Sequence, residues 1–225
     1  MKKKAFTLAE VLITLGIIGV VAALTIPTLV QRNTNETHVQ QLKKTYATLM
    51  QAAQTALEEN NVTNLRETEL GNPDGNQGPK TFLNKYFKVA IDCDNKMEPC
   101  FAQSYKNING DVVGFPISDR EGCVSLSDGT AICILEAMGK SMYDEWAEIH
   151  GWHKWIRVFI DVNGPKGPNI NGRDFFYVEL YDDGKVGESY VMQKYHIDYR
   201  RENCSYTSYG SCFSVIVADG WKMDY

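Results

Sequence analysis

The feature that most constrains this chain is a run of 20 residues, Val11 to Val30, that contains no charged side chain. Fourteen of these residues are apolar, and the others are threonine, glycine and proline. A helix of this length spans about 30 Å, which is the thickness of the hydrocarbon core of a bilayer. The rest of the chain has an ordinary globular composition. We therefore exclude a multispan membrane protein and a purely cytosolic enzyme, and expect one apolar segment joined to one body.

Charge is divided in the same way. Three lysines precede the run, and Glu10 is the only acid before residue 31. Residues 31–225 hold 20 basic and 27 acidic side chains. Because binding to nucleic acid depends on neutralising phosphates, we expect no nucleic acid as the main ligand of this acidic body. Lysines beside a membrane helix stay on the cytoplasmic side, which places the body outside the cytoplasm.

A cleaved secretory signal and a plain membrane anchor both leave Glu10 unexplained. The apolar core of a secretory signal has about 7–15 residues, fewer than this run. An acid deep in a membrane costs about 2.5–3.5 kcal/mol, and such a group is usually kept because it has a partner. The informative string is the whole start: a short basic leader, the small residue Ala5, then Phe6-Thr7-Leu8-Ala9-Glu10 and the apolar run.

This string resembles the N-terminus of type IV pilin-like proteins, which include type IV pilins, type II secretion pseudopilins and competence pseudopilins. The resemblance covers residues 1–30. It implies that prepilin peptidase cuts between Ala5 and Phe6 and methylates the new amine of Phe6. Ala5 departs from the usual glycine before the cut, and we expect it to slow processing without abolishing it.

The resemblance also implies a partner for Glu10, the N-terminal amine of a neighbouring subunit during assembly. Unlike charges attract strongly in a medium of low dielectric constant, and each relieves the burial cost of the other. Pro27 matches a family proline and is expected to kink or loosen the helix, because proline lacks an amide donor. Taken alone, Pro27 is also compatible with the end of an anchor.

Residues 31–59 predict an amphipathic continuation of the helix, with Asn33-Thr34-Asn35 as a candidate interruption. Its apolar residues recur at steps of three and four: Val39, Leu42, Tyr46, Leu49, Ala53 and Leu57. Residues 60–80 predict a loop and Thr81–Val89 a short helix. From residue 111 the pattern is that of strands: Val112–Ile117, Cys123–Leu126, Thr130–Leu135, Trp155–Asp161, Phe175–Tyr181, Val186–Met192 and Phe213–Ala218.

A long helix followed by antiparallel strands predicts an α+β fold, with the helix packed on an antiparallel β-sheet in a pilin-like body. The expected organisation has four parts. Residues 1–5 form a leader, 6–30 a transmembrane and polymerisation helix, 31–59 its amphipathic continuation, and 60–225 the globular body.

The cysteine count is even, and every cysteine follows residue 90. An even count in an exported body predicts disulfides, here among Cys93, Cys100, Cys123, Cys133, Cys204 and Cys212. We expect local pairing, although the spacing alone leaves other pairings and six buried thiols open. A three-residue hairpin loop at Ser127-Asp128-Gly129 would set Cys123 opposite Cys133, whereas a two-residue loop would offset them by one.

Two clusters raise the question of a metal. Asp161, Asn163 and Asp174 lie in a loop rich in oxygen ligands, and some secretion pseudopilins bind calcium in such a loop. Gly172 stands where an EF-hand needs an acid, so a turn whose side chains bond their own backbone is favoured. His150 and His153 lack an evident third ligand, which favours an aromatic cluster. We expect no metal and no cofactor.

No phosphate loop and no nucleophile–base spacing suggests catalysis, so we expect a protein that is not an enzyme; a membrane-tethered enzyme is the least favoured alternative. Tyr199-Arg200-Arg201 is either a contact for nucleic acid or, as we favour, a solvated turn.

The resemblance implies a structural prepilin of a type II secretion pseudopilus or a type IV pilus. It would be held in the inner membrane by one span and then assembled into a periplasmic or extracellular filament. The implied partners are identical or homologous pilin subunits, prepilin peptidase and the inner-membrane assembly platform. The alternative function is a pilin-anchored adhesin or receptor that binds DNA, a surface or an exported substrate.

Overall fold

The computed structural model describes residues 7–71, 78–113, 122–135, 154–188, 193, 195–204 and 212–225. The chain divides into two compact units, Met1–Thr37 and His38–Tyr225. Helix α1 (Leu8–Asn60) contributes to both units. In the first unit, the large apolar side chains from Leu8 to Val30 are 43% to 78% exposed, so no described residue of that unit covers them. By length and composition alone, α1 is long and apolar enough to cross a membrane.

Helix α1 runs through both sequence features that were expected to disturb it. Pro27 lies inside the helix, and the predicted interruption at Asn33-Thr34-Asn35 is wrong. The hydroxyl of Thr34 donates to the carbonyl of Val30 at 2.9 Å, so this polar side chain is satisfied by the helix itself. An ion pair between Arg32 and Glu36, one helical turn later, also stabilises this part of the helix slightly.

The part of α1 that belongs to the second unit buries one face. Its buried positions follow helical spacing: His38, Val39, Leu42, Thr45, Leu49, Ala52, Ala53, Ala56 and Leu57. Of the predicted apolar stripe, all but Tyr46 are buried, and Tyr46 is half-buried against the core. The prediction of an amphipathic continuation is therefore confirmed.

The described residues of the body form eight strands in two sheets. Six form one antiparallel sheet in the order β1-β4-β5-β6-β7-β8, and β2 pairs with β3 in a small second sheet. The strands are β1 (Val89–Asp94), β2 (Tyr105–Lys106), β3 (Val112–Val113), β4 (Gly122–Leu126), β5 (Ala131–Ile134), β6 (Trp155–Asp161), β7 (Phe175–Tyr181) and β8 (Val186–Gly187).

The predicted α+β architecture is confirmed, and β6 and β7 have the predicted bounds. Strand β1 was missed, and most of Thr81–Val89 belongs to helix α2 (Gly78–Tyr86). Residues 114–117 and 189–192, the remainders of two predicted strands, lie outside the described residues.

Both faces of the large sheet are covered, which explains why every residue of β6 and β7 is buried. Side chains alternate between the two faces of a strand. Ile156, Val158 and Ile160 of β6 join the core formed with α1, whereas Phe159 joins a second core. That second core contains residues from the segment 93–113, including Phe101. No pattern in the sequence predicts this second layer.

The segment Phe213–Ala218 was predicted as a strand, and this prediction is wrong: it forms helix α4 (Cys212–Ala218). Its β-branched residues favour a strand in isolation. However, Cys212, Val215 and Ile216 are buried at helical spacing, so packing against the body overrides the local preference. Helix α3 (Ile197–Asn203) precedes α4 in the chain, and two short 3₁₀ turns follow α1.

Candidate functional site

The first candidate site is the start of α1, where Thr7 and Glu10 contact each other. The backbone amide and the hydroxyl of Thr7 both donate to Oε2 of Glu10 at 2.8 Å. The backbone amide of Glu10 donates in return to the Thr7 hydroxyl at 3.3 Å. This reciprocal arrangement is a capping box, which satisfies amides that the first helical turn leaves unpaired.

The capping box shows that the Glu10 carboxylate already has donors within its own chain. Oε2 accepts both Thr7 hydrogen bonds, so Oε1 remains to contact another molecule. The sequence Thr7-Leu8-Ala9-Glu10 has the Thr-x-x-Glu spacing that could have identified Thr7 as a site residue. Ala5 and Phe6, the predicted cleavage residues, lie outside the described residues.

The structure pairs all six cysteines locally. The bridges are Cys93–Cys100, Cys123–Cys133 and Cys204–Cys212. Of the two registers left open for the β4–β5 hairpin, the structure has the three-residue one, since Cys123 lies opposite Cys133. The amide of Leu126 donates to the carbonyl of Thr130 at 2.7 Å, and Gly129 has a φ of +89°, a conformation that suits glycine.

The loop with Asp161, Asn163 and Asp174 uses its two carboxylates inside the protein. Asp161 accepts the Tyr105 hydroxyl at 2.5 Å and the amide of Asn163 at 3.1 Å. Asp174 accepts the amides of Asn169 and Ile170 at 2.7 and 2.6 Å. These contacts favour the turn interpretation. Among the described residues, no group of three or more His, Cys, Asp or Glu side chains could hold a metal ion.

The same loop contains a carboxyl group in an unusual electrostatic state. Asp161 is fully buried. Burial raises its pKa to about 8, the hydrogen bond from Tyr105 opposes this rise, and the nearby Asp174 adds to it. Asp174 is also buried, and burial raises its pKa as well. The two groups therefore organise the loop at a cost in desolvation, which is a structural role.

A second buried acidic cluster links β7 to the segment after β8. Glu179 accepts hydrogen bonds from the hydroxyls of Tyr177 and Tyr181 at 2.8 and 3.0 Å. Glu188 is 4% exposed, and its Oε2 accepts the backbone amide of Ser214 in α4 at 2.9 Å. Its Oε1 is buried, and no donor reaches it from any described residue. Burial raises the pKa of Glu188 to about 7.

Replacing Glu188 with glutamine is expected to make the body relatively more stable at pH 8 than at pH 4.5. The pKa of Glu188 is about 7 in the folded chain against 4.5 for a free side chain. Its stabilising contribution is therefore complete below pH 4.5 and is lost as pH rises through 7. Glutamine has no charge to bury, so the difference between variant and wild type should grow by about 3 kcal/mol across this window.

The measurement is the unfolding free energy of the full chain in detergent at several pH values. The matched control is Glu202→Gln, which removes the same charge from an exposed position in α3. A difference between Glu188→Gln and wild type that does not change with pH would contradict the assignment.

The other residues singled out in the sequence either have simple environments or are not among the described residues. His150 and His153 belong to the part that is not described. The two guanidinium nitrogens of Arg201 donate to Asp219 at 2.7 and 2.8 Å, so an acid already neutralises this arginine. The rings of Tyr195 and Tyr199 stack with their centroids 4.3 Å apart, and each tyrosine is 43% exposed.

Neither buried cluster could have been found from the sequence. Tyr105 and Asp161 are 56 positions apart, and Glu188 and Ser214 are 26 apart. No short motif connects such residues, because the sheet and α4 bring them together.

The comparisons with known proteins bear on the N-terminal segment. Residues 1–26 match the model of the prokaryotic N-terminal methylation motif, the prepilin signature of type IV pilins and pseudopilins. No curated protein and no solved structure matches the chain. The match therefore covers the start of α1 with Thr7 and Glu10, and leaves the body to be interpreted from its own structure.

Proposed function

From this prepilin signature, we propose that the chain is a structural subunit of a type II secretion pseudopilus or a type IV pilus. It is stored in the inner membrane, cleaved between Ala5 and Phe6 by prepilin peptidase, methylated on Phe6, and assembled through α1. The observation that carries the proposal is the methylation motif at residues 1–26. The protein is the substrate of the peptidase and performs no catalysis of its own.

The exposed apolar surface of α1 supports this assignment. The large apolar side chains between Leu8 and Val30 are exposed, and none of the described residues of their own unit covers them. Such a surface is stable in lipid, or against the same helix of other subunits once it leaves the membrane. Glu10 lies within this surface, and in the proposed filament it pairs with the amine of a methylated Phe6 on a neighbouring subunit.

Processing by a prepilin peptidase is the direct test of the first step. Co-expression with the enzyme is expected to remove residues 1–5 and to add one methyl group to Phe6, as measured by intact-protein mass spectrometry. Ala5→Gly should be processed at least as fast as wild type, and Ala5→Leu should be blocked because the residue before the cut must be small. Cleavage at another bond, or equal processing of both variants, would contradict the proposal.

A second candidate function is supported by the exposed ring pair of Tyr195 and Tyr199. An aromatic pair on the surface of a disulfide-linked body suits an adhesin or receptor carried on a pilin-like anchor, because stacked rings bind flat ligands. The test is the double variant Tyr195→Ser/Tyr199→Ser. If it forms filaments at the wild-type level but loses adhesion or uptake, the result would support this function in addition to the first.

A further inference from the structure

We propose that the body binds a carboxylate attached to an apolar stem, in a cavity between α1, β8, α3 and α4, and that Arg200 holds the carboxylate. The cavity has a volume of about 420 Å³. Tyr46 of α1, Val186 of β8, Arg200 of α3 and Phe213 of α4 line it. The site does not depend on the proposed function in filament assembly, because none of these residues belongs to the methylation motif at residues 1–26.

Arg200 is a cation whose hydrogen-bonding capacity is largely unused. Its Nε donates to the carbonyl of Tyr195 at 3.0 Å, which holds the guanidinium in place. Neither of its two terminal nitrogens donates to a residue that the structure describes. A guanidinium presents its donors as a planar fork that matches the two oxygens of a carboxylate. Arg200 therefore offers a carboxylate site that the described part of the chain does not fill.

The next residue shows how this fold fills such a fork. The two terminal nitrogens of Arg201 donate to the two carboxylate oxygens of Asp219 at 2.7 and 2.8 Å. Consecutive residues of a helix do not share a face, so Arg201 meets an acid of its own chain while Arg200 lines the cavity. We expect the ligand to pair with Arg200 in the way that Asp219 pairs with Arg201.

Glu188 also lines the cavity, but it does not neutralise Arg200. Its side chain is buried, and its carboxylate already accepts the amide of Ser214 at 2.9 Å and the Ser214 hydroxyl. Arg200 acts on it through electrostatic attraction, and no hydrogen bond joins the two side chains in the described structure. Burial raises the pKa of Glu188 to about 7, so this acid is largely protonated at pH 6. The cavity then carries the positive charge of Arg200.

The apolar walls determine what kind of stem fits. Phe213 and Val186 are buried, and Tyr46 is half-buried. The ring centroids of Tyr46 and Phe213 lie 5.4 Å apart. Val217, which is 40% exposed, lies at the cavity and leaves it open to solvent. Contact with these walls removes apolar surface of the ligand from water, so a carboxylate on an aromatic or aliphatic stem is favoured over a small polar anion.

The test is an NMR titration of the isotope-labelled full chain in detergent micelles at pH 6 with 3-phenylpropionate. We expect saturable shifts of the backbone signals of Arg200, Ser214 and Val217, with a Kd in the millimolar range, as is usual for so small a ligand. The matched control is 3-phenylpropionamide, which keeps the stem and removes the charge. After correction for the partition of each ligand into empty micelles, the amide should bind at least about tenfold more weakly.

Two variants test the role of Arg200. Arg200→Gln should weaken binding at least about tenfold, whereas Arg201→Gln, which removes the same charge from the neighbouring position, should retain the wild-type affinity. Val217→Glu changes an exposed residue and places an acid at the cavity, where it can pair with Arg200. This variant should also lose binding, and it keeps the test decisive if Arg200→Gln proves difficult to fold.

A third ligand distinguishes two sources of the same chemistry. Nα-acetyl-phenylalanine has the carboxylate and ring of 3-phenylpropionate together with the last peptide group of a protein chain. Affinity at least about tenfold higher for this ligand would assign the site to the C-terminal carboxylate of a protein partner. Equal or lower affinity would assign it to a free apolar carboxylic acid.

The proposal is overturned if no saturable shift occurs at pH 6, or if the acid and the amide bind equally. It is also overturned if Arg200→Gln binds as well as wild type, or if Arg201→Gln loses as much affinity as Arg200→Gln. None of these measurements depends on processing or assembly, so their failure would leave the proposed filament function untouched.

Discussion

Replacing Glu10 with glutamine is expected to abolish incorporation into filaments while cleavage between Ala5 and Phe6 continues. Glutamine preserves the capping box with Thr7, because Thr-x-x-Gln caps a helix as Thr-x-x-Glu does. The substitution therefore removes the negative charge and little else. In the proposed filament this leaves the amine of a neighbouring Phe6 without its partner in an apolar setting, which costs about 3–5 kcal/mol. The measurement is the amount of processed subunit in sheared filaments.

The matched control is Thr7→Val, which removes the hydroxyl that contacts Glu10 and keeps the charge. Loss of a cap costs about 1 kcal/mol, so this variant should still assemble, at a reduced level. The two variants therefore separate the charge of Glu10 from its local hydrogen bonds. Normal assembly of Glu10→Gln together with failure of Thr7→Val would show that Glu10 serves the helix end and has no partner in a neighbouring subunit.

Removing the Cys123–Cys133 bridge is expected to destabilise the body by about 2–3 kcal/mol, because the unfolded chain then regains the freedom of the closed loop. The bridge joins residues 10 positions apart across the β4–β5 hairpin. Both cysteines are buried in the second core, on the face of the sheet that α1 does not cover. The change is Cys123→Ala with Cys133→Ala, and the measurement is the unfolding free energy of the full chain in detergent.

Wild-type protein in strong reductant serves as the comparison, together with Ser127→Ala in the same turn. Reduced wild type should lose at least as much stability as the double variant, since reductant opens the other bridges too, and Ser127→Ala should remain within about 0.5 kcal/mol of wild type. Thiol labelling of the oxidised protein should be absent. Labelling without reductant, or an unchanged unfolding free energy in the double variant, would contradict the pairing.

Patterns that repeat along the chain were sufficient to predict several elements. The three- and four-residue spacing in α1 identified the buried face that contains Leu42 and Leu49. The strand pattern of residues 155–161 and 175–181 gave the bounds of β6 and β7. A three-residue loop at Ser127-Asp128-Gly129 was linked to the pairing of Cys123 with Cys133, and the structure has both. These predictions succeed because each depends on residues close in sequence, whose spacing reports the geometry of one element.

Predictions failed where distant residues compete with local preference. The run Phe213–Ala218 has the β-branched composition of a strand and forms a helix, because its buried positions pack on the body. The strand pattern gave the bounds of β6, but it could not reveal that the segment 93–113 covers the second face of the sheet.

The sequence by itself determined the N-terminal segment: its apolar surface, its methylation motif and the capping box of Thr7 and Glu10 are all local properties of consecutive residues. The tertiary structure alone decided the sites of the body. Glu188 meets Ser214 and Asp161 meets Tyr105 only because the sheet and the packed helices join distant parts of the chain. Burial, which raises the pKa of both acids, is a property of that packing and has no counterpart in the order of the residues.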